Sequence, residues 1–436
     1  MGAWQNILNE FNIGAETTEW NVLALTGKTR GDRVIWSIVA VLVVISLLAV
    51  YSSTGSLAYK QNKGNTEYYL FRQTAFIVIG VGIIYFVHLL NYSIFSKVAL
   101  WLYLASIPLL LYTLLFGANL NEANRWIKLP LINLTFQTSD FARLALFMYL
   151  ARQLSRKQQI ITDFKKGFLP LLIPIGITCL LIAPANLSTC LLTGATGLLV
   201  MFMGRASLKH IMLAVGVACI PIAILVGVAM ATYDPVARQK EVAASGGMVQ
   251  SMRKTGRVGT WISRIQDHIY AEGDAVPYQV QQAKVAIAKG GWIGLGPGNS
   301  EQRNFLPHPY SDFIYAIIIE EYGFLGAFLI VSLYLALLFR CIRIVKRCPY
   351  AFGAFLALAI GVTGAIQAIS NMAVNVNLVP VTGVTLPLIS MGGTSFLFTC
   401  FSVGILLSVA RNIEEQEGKN MATADAVSAD EKEGAA

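Results

Sequence analysis

The strongest constraint on this chain is its hydropathy pattern. Long apolar runs of roughly twenty residues follow one another from residue 34 to residue 410, separated by short polar segments. About 20 apolar residues are needed for a helix to cross a bilayer. In lipid every backbone polar group must be satisfied within the protein, so uninterrupted runs of this length read as helices. Ten spans are expected, at 34–53, 73–90, 98–116, 139–154, 168–184, 187–204, 210–231, 312–339, 351–376 and 386–410. The fold class is therefore an all-α polytopic membrane protein of about ten transmembrane helices, with a large extracytoplasmic loop, 232–311, between helices seven and eight. Residues 1–33 form a cytoplasmic N-terminal segment, 34–411 the membrane domain, and 412–436 a disordered acidic cytoplasmic tail. The first apolar run is long enough to remain as an anchor, so no cleaved signal peptide is expected. Charged residues make up only 13% of the chain, about half the share of a soluble domain. That excludes an ordinary soluble enzyme and a disordered chain.

The net charge of +9 does not point to nucleic acid, because Lys and Arg cluster between the apolar runs. With both termini in the cytoplasm, the inner loops hold twelve basic residues and the short outer segments six. That bias sets the orientation. Loop 232–311 carries nine more, but loops of that length translocate largely regardless of charge. The six Cys form no CxxC pair and read as small buried hydrophobes, with no disulfide framework. The four His are scattered, which argues against a zinc site.

In this orientation the unusual segments share the outer face: 121–128, the turn at Asn186, loop 232–311, and 379–387. Loops on a rigid scaffold carry function more often than the scaffold does. The stretch Gly290–Ser300 suggests a phosphate cradle, yet no strand precedes it and no Gly-Lys-Ser/Thr follows, so a tight loop is the favoured reading. Asp312, at the mouth of span eight, admits two readings. With Ser311 it can cap the helix and complement its dipole, or it can act on a substrate. Glu320 and Glu321 lie about 12 Å deeper at ~1.5 Å per residue. They are either paired with a basic group such as Arg143 or functional. Residues 278–289 have the spacing of an amphipathic helix on the membrane surface. Arg125-Trp126 fits an interfacial aromatic with a snorkelling cation.

These same segments carry a resemblance. Arg125-Trp126-Ile127, Phe136-Gln137-Thr138-Ser139-Asp140, Gly294-x-Gly296-x-Gly298-Asn299-Ser300, Asp312-Phe313-Ile314, Glu320-Glu321-x-Gly323 and the run Pro380–Ser395 resemble the SEDS family (shape, elongation, division and sporulation), over residues 33–411. The resemblance implies a peptidoglycan glycosyltransferase that polymerises lipid II, the undecaprenyl-pyrophosphate-linked disaccharide-peptide, on the outer face of the cytoplasmic (inner) membrane. The family's essential acid falls on Asp312, in the role of general base toward the acceptor sugar hydroxyl. The substrate-binding candidates are Arg125, Trp126, Lys128, Arg143, Gln282, Lys289, Asn299 and Arg303. No cofactor is fixed, and a divalent cation such as Mg2+ is open. A class B penicillin-binding transpeptidase and other division-complex proteins are the implied partners. The small residues of span nine, Gly353, Gly361 and Gly364, offer either packing within the bundle or a docking face for the transpeptidase helix. Met391–Ser395 and Ala49–Ser53 resemble division-type members more than elongation-type ones. Three departures stand out: Asn186 replaces a common Asp, His308 and Tyr310 replace a Glu and a His, and Asn377 replaces a Gly. Rival readings are an elongation-type polymerase, a lipid II flippase, or a non-catalytic division scaffold.

Overall fold

The computed structural model describes residues 31–55, 57, 66–120, 123–129, 134–234, 257–270 and 276–433. Each expected span is matched by a helix: α1 (Arg33–Ser53), α2 (Thr66–Leu89), α3 (Ser93–Phe116), α4 (Thr138–Lys157), α5 (Leu169–Ile182), α6 (Leu187–Met203) and α7 (Leu208–Ala231). Two shorter helices, α8 (Arg257–Tyr270) and α9 (Tyr278–Gly290), follow in loop 232–311. Then come α10 (Ile314–Arg347), α11 (Ala351–Asn375) and α12 (Thr394–Glu433). Among the described residues, eight helices are long and apolar enough to cross a membrane, the fifth together with the π-helical turn Phe164–Phe168 that precedes it. Of the other two expected spans, α6 is short and α4 is too polar. The polarity of α4 is tolerated because it is lodged among α3, α5, α11 and α12, where protein replaces lipid.

The two ends of the bundle are distinct. At one end Asp32 caps α1, accepting from the amides of Val34 (2.9 Å) and Ile35 (3.3 Å), and pairs with Arg340 (2.7 Å). The Gly31 amide donates to Glu414 (2.9 Å), and Arg347 pairs with Glu417. The opposite end carries residues 118–120, 123–129 and 134–137, the turn before α6, and loops 291–313 and 377–393. It therefore gathers the described parts of the segments the sequence placed on the outer face.

Several expectations are corrected. Residues 118–137 were read as loop, but β1 (Ala118–Leu120), β2 (Ala123–Leu129) and β3 (Leu134–Gln137) form an antiparallel sheet in the order β1-β2-β3. The pair Trp126 with Gln137 sets its register at the start of α4. Span ten does not begin at 386: residues 386–393 are non-helical and α12 starts at Thr394. Irregular backbone at this depth survives only where protein satisfies it. Here the Leu386 amide donates to Ser390 Oγ (2.8 Å), Ser46 Oγ donates to the Ile389 carbonyl (2.8 Å), and the Tyr334 hydroxyl donates to the Pro387 carbonyl. The segment from 412, expected to be disordered, continues α12 to Glu433, because its Ala, Glu, Lys and Met residues favour helix. The helix over 278–290 exists, but its apolar face is turned to protein: Val280, Ala283 and Ala286 are buried and it packs on α10.

Span eight holds the most consequential difference. α10 is broken at Gly323, whose φ of 64° and ψ of −163° belong to no helix.

Candidate active site

Asp312 sits in the turn before α10, half-buried. The sequence left two duties open for it, and the structure gives one of them to other residues. The first-turn amide of Ala316 is capped by Asn375 Oδ1 (3.0 Å), reaching across from α11. Asn371 and Asn375 each donate a side-chain N–H to the Asp312 carbonyl (3.0 Å). Two asparagines four residues apart lie on one face of α11 and pin the Asp312 backbone. The cap reading for Ser311 and Asp312 is therefore corrected: Phe313 stands at the cap position without a side-chain bond, and α11 supplies the acceptor.

The Asp312 carboxylate faces the 380–394 loop. A Cβ built on Gly383 would stand 3.5 Å from Asp312 Oδ2, so glycine there keeps the approach open. Next to it, Thr382 Oγ1 is buried with no hydrogen-bond partner among the described residues. Burial, followed by the charge of Asp312, pushes the Tyr310 phenol above its ordinary pKa. Tyr69 and Arg72, near the start of α2, also act on Tyr310, which brings a cation to this end of the bundle that sequence reasoning did not select.

The floor is built from the long motif after α11. The Met391 amide donates to the Tyr310 carbonyl (2.9 Å), and Ser390 Oγ donates to the Ser311 carbonyl (2.7 Å). Leu388 is held at φ 62°, a left-handed conformation costly for a branched side chain, by the bonds that fix this loop. Asn377 also has a positive φ of 58°, a region that Asn and the Gly implied by the resemblance both tolerate. From the floor, Thr394 Oγ1 donates to the Thr135 carbonyl (2.8 Å) and accepts from the Gln137 amide (3.3 Å). That joins the sheet and the first turn of α4 to the Asp312 loop. Trp126 arrives by its register with Gln137 and is half-buried. Arg125 and Lys128 lie on β2, and their side chains are outside the described residues. In α4, Arg143 stands 3.7 Å from Asp140, whose Oδ2 is buried without a hydrogen-bond partner among the described residues. Asn186 caps α6, accepting from the Thr189 amide (3.2 Å), a duty Asn and Asp perform alike.

The remaining candidates belong to a neighbouring structure, the plug of the broken helix. At the break, the carbonyls of Glu320 and Glu321 lose their helical donors. The Leu295 and Gly296 amides replace them (2.9 Å each), while the Phe324 amide donates to the Gly291 carbonyl (2.9 Å). The glycines permit this contact. A Cβ on Gly290 or Gly294 would lie 2.1–2.2 Å from the carbonyl oxygens of Ile319 or Glu321. The tight-loop reading of 290–300 is thus correct, and the amides of Leu295 and Gly296 are spent on protein. Nor do Glu320 and Glu321 pair with Arg143. The Glu320 carboxylate accepts from Ser300 Oγ and from the amides of Glu301 (3.1 Å) and Gln302 (3.2 Å). Glu321 accepts from Ser52 Oγ and the Ser300 amide (3.4 Å). Arg303 donates to the Ser52 carbonyl (3.1 Å), Lys289 pairs with Glu301, and Asn299 donates to the Leu295 carbonyl (3.0 Å). These residues fasten the loop that leads to Asp312. Gln282 is half-buried on α9.

A model of the FtsW/RodA/SpoVE family, described as cell cycle proteins, matches residues 32–415. The chain belongs to this family. It is 32% identical, over 88% of its length and 94% of the relative's, to a protein of Trichlorobacter lovleyi described as a probable peptidoglycan glycosyltransferase FtsW. A relative with the same description from Thioalkalivibrio sulfidiphilus is 33% identical over 86% of this chain and 88% of its own. Stage V sporulation protein E of Bacillus subtilis is 31% identical over 88% and 98%. Among solved structures, a chain from "Structural coordination of polymerization and crosslinking by a peptidoglycan synthase complex" superposes with a TM-score of 0.64 at 21% identity, covering 88% of this chain and 98% of that one. The rod shape determining protein RodA of Thermus thermophilus gives 0.59 at 20%, covering 88% and 97%. The fold is that of a multi-pass FtsW/RodA/SpoVE membrane protein.

Proposed function

We propose that this chain is the peptidoglycan glycosyltransferase of cell division and that it polymerises lipid II at the outer face of the cytoplasmic membrane, with both termini in the cytoplasm. The enzyme class and the division role rest on the FtsW-described relatives, which span nearly the whole chain. In the reaction, the 4-hydroxyl of an acceptor sugar attacks the anomeric carbon of a lipid-linked donor. The bond to the pyrophosphate breaks, and the lipid pyrophosphate leaves with the electron pair. Asp312 takes the hydroxyl proton. The observation that carries this role is that Asn375, not Asp312, caps α10, while Gly383 leaves the carboxylate approachable.

Developing charge on the leaving pyrophosphate calls for fixed cations or N–H donors. Lys289 and Arg303 are engaged in the plug. Arg143, on the helix joined to the floor through Thr394, and Arg72, beside Tyr310, are the cations this reading assigns to the pyrophosphate. Among the described residues no three His, Cys, Asp or Glu side chains are grouped to hold a metal. A Mg2+ ion arriving with the pyrophosphate would belong to the substrate, and no step here passes through it.

The partner in this reading is a class B penicillin-binding transpeptidase within the division complex. It is supported by the likeness to a chain from a peptidoglycan synthase complex. The test is Asp312→Asn in purified protein given lipid II, with and without the transpeptidase. Glycan synthesis should fall by roughly 10²–10⁴-fold, with the fold retained because the pinning bonds from Asn371 and Asn375 use the Asp312 carbonyl. Normal polymerisation by the folded Asn variant would remove Asp312 from the chemistry.

A further inference from the structure

Two of the six cysteines meet. Cys179 lies near the end of α5 and Cys190 in the first turn of α6, with the tight turn 183–186 between them. That turn is closed by the Ala185 amide on the Ile182 carbonyl (3.0 Å) and the Asn186 amide on the same oxygen (2.8 Å). It brings the two helices together as an antiparallel hairpin. The Cys179 thiol donates to the Cys190 carbonyl (3.5 Å), so its sulfur lies against the residue that carries the second thiol. Gly194, one turn further along α6, faces the same sulfur: a Cβ there would be 3.5 Å from Cys179 Sγ. Its lack of a side chain leaves room for the thiol to rotate. Both cysteines are only half-buried, whereas Cys341 and Cys400 are enclosed in the apolar core.

A disulfide needs an S–S separation near 2.05 Å with the Cβ atoms about 3.8 Å apart. With the Cys179 sulfur already against the Cys190 backbone across a hairpin, side-chain rotation and a small closure bring the two sulfurs to that separation. The hairpin turn belongs to the end of the bundle that carries the Asp312 loop. In the orientation proposed above, on which this inference rests, that end faces the extracytoplasmic compartment, where disulfides form and persist.

We propose that Cys179 and Cys190 form a disulfide that staples α5 to α6 directly beneath the Asn186 turn. Each thiol gives up its proton, the S–S bond forms, and two electrons pass to an extracytoplasmic protein disulfide, which leaves as a dithiol. Exchange proceeds through a mixed disulfide on the cysteine that the oxidant reaches first. Cys190, next to the turn, is that residue. The staple prevents α5 and α6 from sliding along each other. It thereby fixes the Asn186 cap and the start of α6, which packs on α11, the helix whose asparagines pin Asp312.

The test uses the full chain in the membranes of cells grown without added reductant and quenched in acid. After denaturation, thiols are counted by the mass added with a maleimide polymer, before and after reduction. The expected count is four before reduction and six after. Cys179→Ser and Cys190→Ser should each show five labelled thiols both before and after reduction. Six labelled thiols without reduction would overturn the disulfide. A reporter cysteine at Ser245, probed with an impermeant reagent from outside, separates the two possible failures. If the reporter reacts and all six thiols are free, the pair is unbonded although the orientation holds. If the reporter is shielded and all six are free, the orientation has failed and takes the compartment argument with it.

Discussion

Replacing Gly323 with Ala should uncouple the plug from the broken helix. The φ/ψ pair at Gly323 lies in a region held almost only by glycine. A side chain there costs about 1–3 kcal/mol in backbone strain. The added Cβ would also stand 2.4 Å from the Trp292 carbonyl oxygen and 2.5 Å from the Ile293 nitrogen, both backbone atoms that cannot swing aside. Relief requires the loop to retreat, and retreat breaks the bonds from Leu295 and Gly296 to the Glu320 and Glu321 carbonyls and from Phe324 to Gly291. Each buried group left unsatisfied costs about 1–3 kcal/mol. If one or two of these bonds go, the total is roughly 2–9 kcal/mol, most of the margin by which a typical protein is stable. The loss should be local first, because the plug is held at its ends. Trp292, one of seven tryptophans, packs edge-on against Phe324 with ring centroids 5.4 Å apart, so a variant that keeps Trp292 alone, with the other six replaced by Phe, reports the plug by its emission. Thermal unfolding in detergent, followed by tryptophan emission, should show an early transition in Gly323→Ala and a fall in glycan synthesis. Gly364→Ala is the matched control, since a Cβ there meets nothing within 4 Å. If the two variants unfold together and polymerise equally, the plug does not hold the site in the manner described.

Glu320→Gln should lower glycan synthesis at least tenfold and make loop 291–313 cleavable by added protease, because the uncharged amide weakens the bonds to Ser300, Glu301 and Gln302. Gly361→Leu should destabilise the bundle itself, since a Cβ there would lie 2.6 Å from Cys341 Cβ, whereas Gly364→Leu should leave the midpoint intact and weaken only co-purification of the transpeptidase. Equal loss of partner by both, with equal stability, would contradict that division. For sidedness, a cysteine at Ser245, which lies outside the described residues, should react with an impermeant thiol reagent from outside and one at Ser155 should not. The opposite labelling would invert the topology.

The helices were legible in the sequence because bilayer thickness imposes a length that hydropathy reports directly. What it could not report was where the backbone leaves the helix inside the membrane. Residues 386–393 are as apolar as a span, and partners distant in the sequence, Ser46, Tyr334, Tyr310 and Ser311, let them stay irregular. The break at Gly323 was equally hidden, since a lone glycine in an apolar run is ordinary in a membrane helix. Asp312 stood out because a carboxylate at a span's mouth invites a reading. Its supports, Asn371 and Asn375, sit in a different span, and only packing brings them over Asp312. The docking face expected on span nine is divided: Gly353 and Gly361 meet neighbours within the bundle, and Gly364 alone of the three faces open space. Lys289 and Arg303 looked like substrate cations because sequence shows charges without their partners.

The polar helix α4 has a consequence for how the protein is made. Insertion judges each span by its own transfer energy as it leaves the ribosome, and Asp or Arg near a helix centre costs about 2.5–3.5 kcal/mol on that scale. α4 carries Asp140 and Arg143 in its outer half and is shielded in the finished protein by α11 and α12. Those helices emerge about two hundred residues later. Until then α4 depends on α3 and α5 to hold it in the bilayer, and the face that α11 and α12 cover waits exposed. The face that carries Asp312 is thus assembled last, when the chain's final third closes over a helix inserted long before. Fragments that stop short of α11 lack both the cover for α4 and the asparagines that fix Asp312.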